Sequence, residues 1–352
     1  MSVYYNEQVS LGKQLIAPFP WFGGKRKISA AVWQRFGRID NYVEPFFGSG
    51  AVLLNRPAPV SGPETVNDKD GYVANFWRAI QACPDEVSAY ADQPVNENDL
   101  HARHVWLLER SESLRAQLEG DPLFFDAQVA GWWAWGVSCW IGGGFCSGLG
   151  PWWVDGDRQL VHLGHGGQDV NRQLVHLGGG GRGVKRQLVH LGDGGRGVNR
   201  KLVHLGDGQG GRLLPWFTAL SKRLRHVRVC SGDWSRVCGP VVTYKHGTTA
   251  VFLDPPYADT ADRTPDLYRA DSESVAHDVR KWAIENGNNP LLRIALCGYE
   301  GEHVMPESWG VLAWNAGGGF GAQADERSGN GRRERIWFSP ACIGNMPLLN
   351  EL

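Results

Sequence analysis

The sequence predicts an open α/β sheet with a ligand site at its strand ends, interrupted by an insertion that carries a 14-residue repeat. Three observations predict it. An apolar run, Ala250-Val251-Phe252-Leu253, breaks directly into Asp254-Pro255-Pro256-Tyr257. A second run, Tyr42-Val43, ends on Glu44-Pro45 and passes through Phe46-Phe47 into a turn built on Gly48 and Gly50. A third, Val66-Asn67-Asp68, ends on another acid about 20 residues beyond that turn, where an open nucleotide-binding sheet carries its ribose-binding carboxylate.

Each element follows from its residues. The Gly48 and Gly50 turn lets backbone approach a ligand closely, and Ala51-Val52-Leu53-Leu54 after it reads as the opening of a helix. One glycine-rich turn is weak by itself, because tight turns imitate it. With Asp68 behind it, nucleoside binding is the favoured reading. Ahead of it, Trp21-Phe22-Gly23-Gly24-Lys25-Arg26-Lys27 puts an aromatic ring, a Gly-Gly pair and cations on one short loop. A cation there could meet a carboxylate; the alternative is a solvated basic loop.

The run before Asp254 is β-branched and aromatic, and Pro255-Pro256 stops it, so it reads as a buried strand halted at its carboxyl end. Two prolines remove two N–H donors and stiffen the turn, leaving carbonyls free to accept. A planar exocyclic amine needs acceptors for two hydrogens and a flat surface. Asp254, the Pro255 carbonyl and the Tyr257 ring would supply them; the alternative is a plain strand end with a turn. Leu292-Arg293-Ile294-Ala295-Leu296-Cys297 reads as a further sheet strand.

Trp21-Phe22-Gly23-Gly24-Lys25, Glu44-Pro45-Phe46-Phe47-Gly48-Ser49-Gly50 and Asp254-Pro255-Pro256-Tyr257, in that order, resemble the N6-adenine-specific DNA methyltransferases of the DNA adenine methylase type. The resemblance covers roughly the first 80 and the last 130 residues, and three ordered motifs are far more specific than one. It implies a Rossmann-like S-adenosylmethionine-dependent methyltransferase sheet. It also implies S-adenosyl-L-methionine as cofactor, held by Trp21, Gly23, Gly24, Lys25, Glu44, Pro45, Phe46, Gly48, Gly50, Asp68 and Asp254, with Asp254, Pro255, Pro256 and Tyr257 catalytic. Asp233, in Ser231-Gly232-Asp233-Trp234, resembles the acid that helps hold the cofactor's adenine, or is a turn aspartate. Arg335-Ile336-Trp337-Phe338 resembles the family's closing strand and is read as core.

The domain organisation implied is a catalytic first part over 1–90, an inserted target-recognition region over 91–220 with repeats at 158–212, and a catalytic second part over 221–352. Residues 97 to 130 look helical, with Val105, Leu107, Leu108, Leu114 and Leu118 at partly helical spacing and an end near Pro122. The tryptophan-dense stretch 131–145 is read mostly as core, with one or two rings available to stack on bases. From Arg158 the chain repeats as Arg-Gln/Lys-Leu-Val-His-Leu-Gly at 158, 172, 186 and 200, each a short strand-like run followed by a glycine-rich turn.

The formal net charge of −1 is neutral on nucleic acid, so its distribution has to decide. From Gly156 to Arg212 nine Lys or Arg face four Asp, locally +5. One reading is a basic extension of the recognition region, with Arg182, Lys185, Arg186, Arg196, Arg200 and Arg212 on the phosphates of double-stranded DNA. Another is a duplicated insert with no part in catalysis. A metal ladder through His162, His176, His190 and His204 lacks cysteines or carboxylates in register, so no metal is expected. The basic run Lys222-Arg223-Leu224-Arg225-His226-Val227-Arg228 reads as a solvated face.

A hydrophobic fraction of 42% suffices for a core, and no apolar stretch is long and glycine-free enough to span a membrane. The N-terminus lacks the charged and apolar regions of a signal peptide, so the expected location is the cytoplasm. The seven cysteines, none in a Cys-x-x-Cys pair, are expected to be reduced. The reading is therefore site-specific adenine methylation of DNA. The rivals are methylation of RNA or a protein amide, and an inactive DNA-binding or interaction protein built around the repeats.

Overall fold

The structure is a computed structural model that describes residues 15–21, 25–58, 60–140, 145–146, 152–154, 160–162, 213–257, 275–314 and 333–344. In chain order the regular elements are α1 (Ser29–Phe36), β1 (Asn41–Glu44), β2 (Glu64–Asp68), α2 (Gly71–Ala82), α3 (Pro84–Ala91), α4 (Glu97–Gly120), α5 (Ala127–Cys139), β3 (Trp152–Val154) and β4 (Leu160–His162). There follow α6 (Leu213–Leu224), β5 (Val227–Ser231), β6 (Thr249–Leu253), α7 (Val275–Asn286), β7 (Leu292–Tyr299), β8 (Gly310–Ala313) and β9 (Glu334–Phe338).

Seven strands form one sheet in the order β5-β2-β1-β6-β7-β9-β8. All neighbours are parallel as far as β7, and β9 runs antiparallel between β7 and β8. The sequence-predicted α/β class is what is observed. Chain order reverses at β1: β2 lies on one side and β6 on the other. The crevice beyond the carboxyl ends of β1 and β6 is therefore the topological switch point, where ligands of such sheets bind. Glu44 ends one of those strands and Asp254 follows the other.

The central strands are apolar on both sides, as strands covered by helices on both faces must be. In β6, Ala250 and Phe252 enter one core cluster with Val32, Phe36, Phe76 and Phe217, while Val251 and Leu253 enter the other with Val279 and Ala283 of α7. β1 divides the same way, Tyr42 to the first and Val43 to the second. Each such large side chain, once buried, contributes about 1.5–3 kcal/mol of transfer free energy.

The expected helix at Ala51–Leu54 is not formed. The chain makes only a short 3-10 turn, Leu53–Asn55, and Arg56 is extended with φ −61° and ψ 127°. Pro57 is the cause, since the residue before a proline is pushed out of the helical region. The helix expected near residues 97 to 122 is α4, capped at Asn96, whose side chain accepts the Asp99 N–H, and it stops at Gly120 just before Pro122. Asp126 caps the next helix, α5, by accepting the Val129 N–H.

The tryptophans of the 131–145 stretch lie largely in the core. Trp133 and Trp135 are buried within α5, and Trp140 is buried just after it. Trp132 is half-buried and meets the ring of Trp106 at 4.9 Å. α5 packs against α2 and α3, and α6 against the same two helices. Arg223, from the basic run read as solvated, instead makes a two-pronged bond to buried Glu64, at 2.6 and 2.8 Å. Arg56 joins the same carboxylate at 2.7 Å.

The first repeat unit supplies β4, which pairs antiparallel with β3, Trp152 opposite His162. The rest of the repeats, with Arg182, Lys185, Arg186, Arg196, Arg200, Arg212, His176, His190 and His204, lie outside the described residues, as do Phe22, Gly23 and Gly24. All seven cysteines are free thiols. Among the described residues no helix is long and apolar enough to cross a membrane.

Candidate active site

A cleft with an empty volume of about 930 Å³, open solvent included, lies at the switch point. Its walls come from four places: Trp21 and Lys25, the Glu44–Ser49 turn, Asn67–Asp70 at the end of β2, and Asp233–Trp234 after β5. Asp254 and Pro256 close its far side.

The glycine turn is held by bonds that cross strands. The Gly48 N–H donates to Asp68 Oδ2 at 2.8 Å and the Asp70 N–H donates to Asp68 Oδ1 at 2.9 Å. Asn67 Nδ2 donates to the carbonyls of Pro45 and Gly232, at 3.1 and 3.0 Å, linking the ends of β1, β2 and β5. The Trp77 indole donates to the Gly48 carbonyl at 2.8 Å. Gly48 has φ +47°, and a Cβ there would stand 2.4 Å from Trp21 Nε1. Only glycine lets the turn and the indole approach so closely.

Two acids on the cleft are driven toward their neutral forms. Burial pushes the Asp68 carboxyl up to about 7, Asp70 adds to this, and the backbone N–H bonds oppose it. Burial also raises Glu44 well above the usual carboxylate range, the bond from the Tyr42 hydroxyl at 2.8 Å pulls it back, and neighbouring Asp254 raises it again. Asp233 behaves oppositely: it is exposed, and the Ser235 hydroxyl and N–H hold its carboxyl low. It both caps the short 3-10 turn Trp234–Val237 and lines the cleft.

At the far side, Lys25 is 4% exposed and its ammonium lies 3.0 Å from Asp254 Oδ1. It donates to the Tyr257 hydroxyl at 3.0 Å, although the two residues are 232 positions apart. The Tyr257 hydroxyl donates in turn to Glu334 Oε2 at 2.6 Å. The cation of the first loop thus meets the carboxylate that follows β6.

Residues 21–117 match the family model of the D12 class N6 adenine-specific DNA methyltransferases. That is the family the motifs resemble. The D12 match takes in Trp21, Lys25, the glycine turn and Asp68, and the fold brings Asp254 and Tyr257 to the same place from beyond it. The family points to methylation of adenine in DNA at the level of class. No curated protein matches the chain in a sequence search.

Of the residues expected at the site, Trp21, Lys25, Glu44, Pro45, Phe46, Gly48, Asp68, Asp233, Asp254 and Pro256 line the cleft. Gly50 does not reach it; with φ +70° it shapes the turn against the Phe47 ring. Pro255 is buried and Tyr257 half-buried; neither is among the residues lining the cleft, and the Tyr257 ring lies 4.5 Å from that of Tyr299. Sequence reasoning missed Trp234, whose ring stacks on Phe46 at 6.3 Å, and Glu334. Trp234 follows the suspected Asp233 directly, which was signal enough. Glu334 carried no local signal; it reaches the site because β9 runs antiparallel and opens opposite Tyr299, at the end of β7.

Proposed function

We propose that the protein transfers a methyl group from S-adenosyl-L-methionine to N6 of adenine in double-stranded DNA. The observation that carries the reading is the 3.0 Å pairing of Lys25 with Asp254 at the switch-point cleft, which joins the two motif regions of the chain. The cleft's chemistry suits the cofactor. Asp68 and exposed Asp233 offer acceptors for sugar and base, Phe46 and Trp234 offer stacked rings, and Gly48 lets the turn pack against the Trp21 indole on the same cleft.

Adenine N6 is a weak nucleophile, because its lone pair is delocalised into the ring, and within a duplex it cannot reach the cleft. The base is therefore flipped out of the stack. Asp254 and the Pro255 carbonyl accept the amino hydrogens, which draws the nitrogen lone pair out of the ring, and Tyr257 provides the flat surface. When bound, the cofactor supplies an electrophilic methyl group that the nitrogen takes in line. Asp254 receives the surplus proton and passes it to water. Positioning and fixed charge carry most of the acceleration. In this account Arg182, Lys185, Arg186, Arg196, Arg200 and Arg212 neutralise phosphates beside the target.

Asp254→Ala tests the assignment. The expected result is loss of methyl transfer with the thermal transition retained; near-full activity refutes it.

A further inference from the structure

Glu334 opens β9 opposite Tyr299 of β7, and its side chain is buried at 4% exposure. The Tyr257 hydroxyl has one proton and two acceptors in view, Glu334 Oε2 at 2.6 Å and Asp254 Oδ1 at 3.5 Å. The shorter contact takes the proton. The hydroxyl oxygen is then turned to accept from the Lys25 ammonium, at 3.0 Å. That ammonium stands 3.0 Å from Asp254 and 3.8 Å from Glu334, with the rings of Tyr257 and Trp314 at 5.4 and 5.7 Å.

The arrangement matters for Asp254. A carboxylate paired with an ammonium of its own is neutralised as an acceptor, and an amino nitrogen that becomes cationic during transfer needs negative charge beside it. A second carboxylate on the same ammonium leaves that charge in place. We propose that Glu334 is a positioning residue of this site: it orients the Tyr257 hydroxyl and shares the Lys25 ammonium, so that Asp254 keeps its negative charge for the amino group of the substrate. The inference rests on the amino-methylation reading above, and it adds a residue from the closing strand, which the motifs do not include.

Two variants of the full chain separate charge from shape. Glu334→Gln keeps an acceptor for the tyrosine but removes the charge, and Glu334→Asp keeps the charge on a shorter arm. With S-adenosylmethionine and duplex DNA in single-turnover assays, Glu334→Gln is expected to slow transfer by about tenfold or more, with cofactor affinity changed less than about twofold and Glu334→Asp recovering part of the rate. A second readout needs no turnover. In NMR of protein labelled at the lysine ε-carbons, with Lys25 assigned through Lys25→Arg, the Lys25 titration is expected to move down by about one pH unit in Glu334→Gln, because an opposite charge has gone.

A transfer rate within about twofold of wild type overturns the proposal whatever the lysine does. A slower rate with an unmoved lysine titration overturns it too, and leaves Glu334 a structural part only. If the wild-type protein transfers nothing to adenine, the functional reading falls by itself. The lysine titration in Glu334→Gln then decides the Glu334–Lys25 pairing alone, a downward move supporting it and no move overturning it.

Discussion

Replacing Asp68 by Asn changes how stability depends on pH, and the size follows from where Asp68 sits. Its carboxyl is raised from 3.8 to about 7 in the folded protein. The sign is that of a raised group: the folded state keeps a proton that the unfolded chain releases, so its contribution is full below about pH 4 and is gone once the pH has passed about 7. Between pH 5 and pH 7 the unscreened slope of about 1.4 kcal/mol per unit gives about 3 kcal/mol. Asp68 is only half-buried and faces the open cleft, so solvent reduces this to about 1–2 kcal/mol.

Asp68→Asn removes the dependence and also loses one backbone N–H bond, a pH-independent cost of about 1 kcal/mol. Urea unfolding of both proteins at about pH 5 and pH 7.5 should therefore show wild type losing stability relative to the variant by about 1–2 kcal/mol as the pH rises. A difference that stays constant, or that grows in favour of wild type, refutes the assignment of a raised carboxyl to Asp68.

Three further outcomes follow from the same geometry. Gly48→Ala places a side chain at positive φ and against the Trp21 indole, and is expected to cost about 1–2 kcal/mol in urea unfolding and to weaken S-adenosylmethionine binding in calorimetry. Glu64→Ala leaves Arg56 and Arg223 without their shared carboxylate and is expected to cost about 3–5 kcal/mol, measured by chemical denaturation. His104 is buried between Trp140 and Phe145 and burial lowers it to about 4, so protons bind the unfolded chain first as the pH falls below about 6.5. His104→Phe should flatten part of the acid loss of stability between about pH 6.5 and pH 4, seen as a smaller fall in thermal midpoint.

What the sequence made legible was what its residues signal locally. Asp254 after an apolar run, and Gly48 before an acid some 20 residues on, announce strand ends whatever lies between them. The missed features depend on the assembled chain. Glu334 meets the Tyr257 hydroxyl because β9 is antiparallel, and the pattern Arg335-Ile336-Trp337-Phe338 by itself reads only as core. Arg223 sits in a run of cations that looks solvated, and only the packing of α6 on α2 and α3 brings it to Glu64 and the Leu53 carbonyl. The helix expected after Gly50 failed for a local reason that was in view, Pro57.

The most direct test of the central claim incubates the purified wild-type protein with methyl-labelled S-adenosylmethionine and unmodified duplex DNA, then digests the DNA and separates its nucleosides. The account predicts label in N6-methyladenosine of the deoxy series and in no other base. Cofactor binding without label in adenine, or label appearing only with RNA or protein as acceptor, contradicts it.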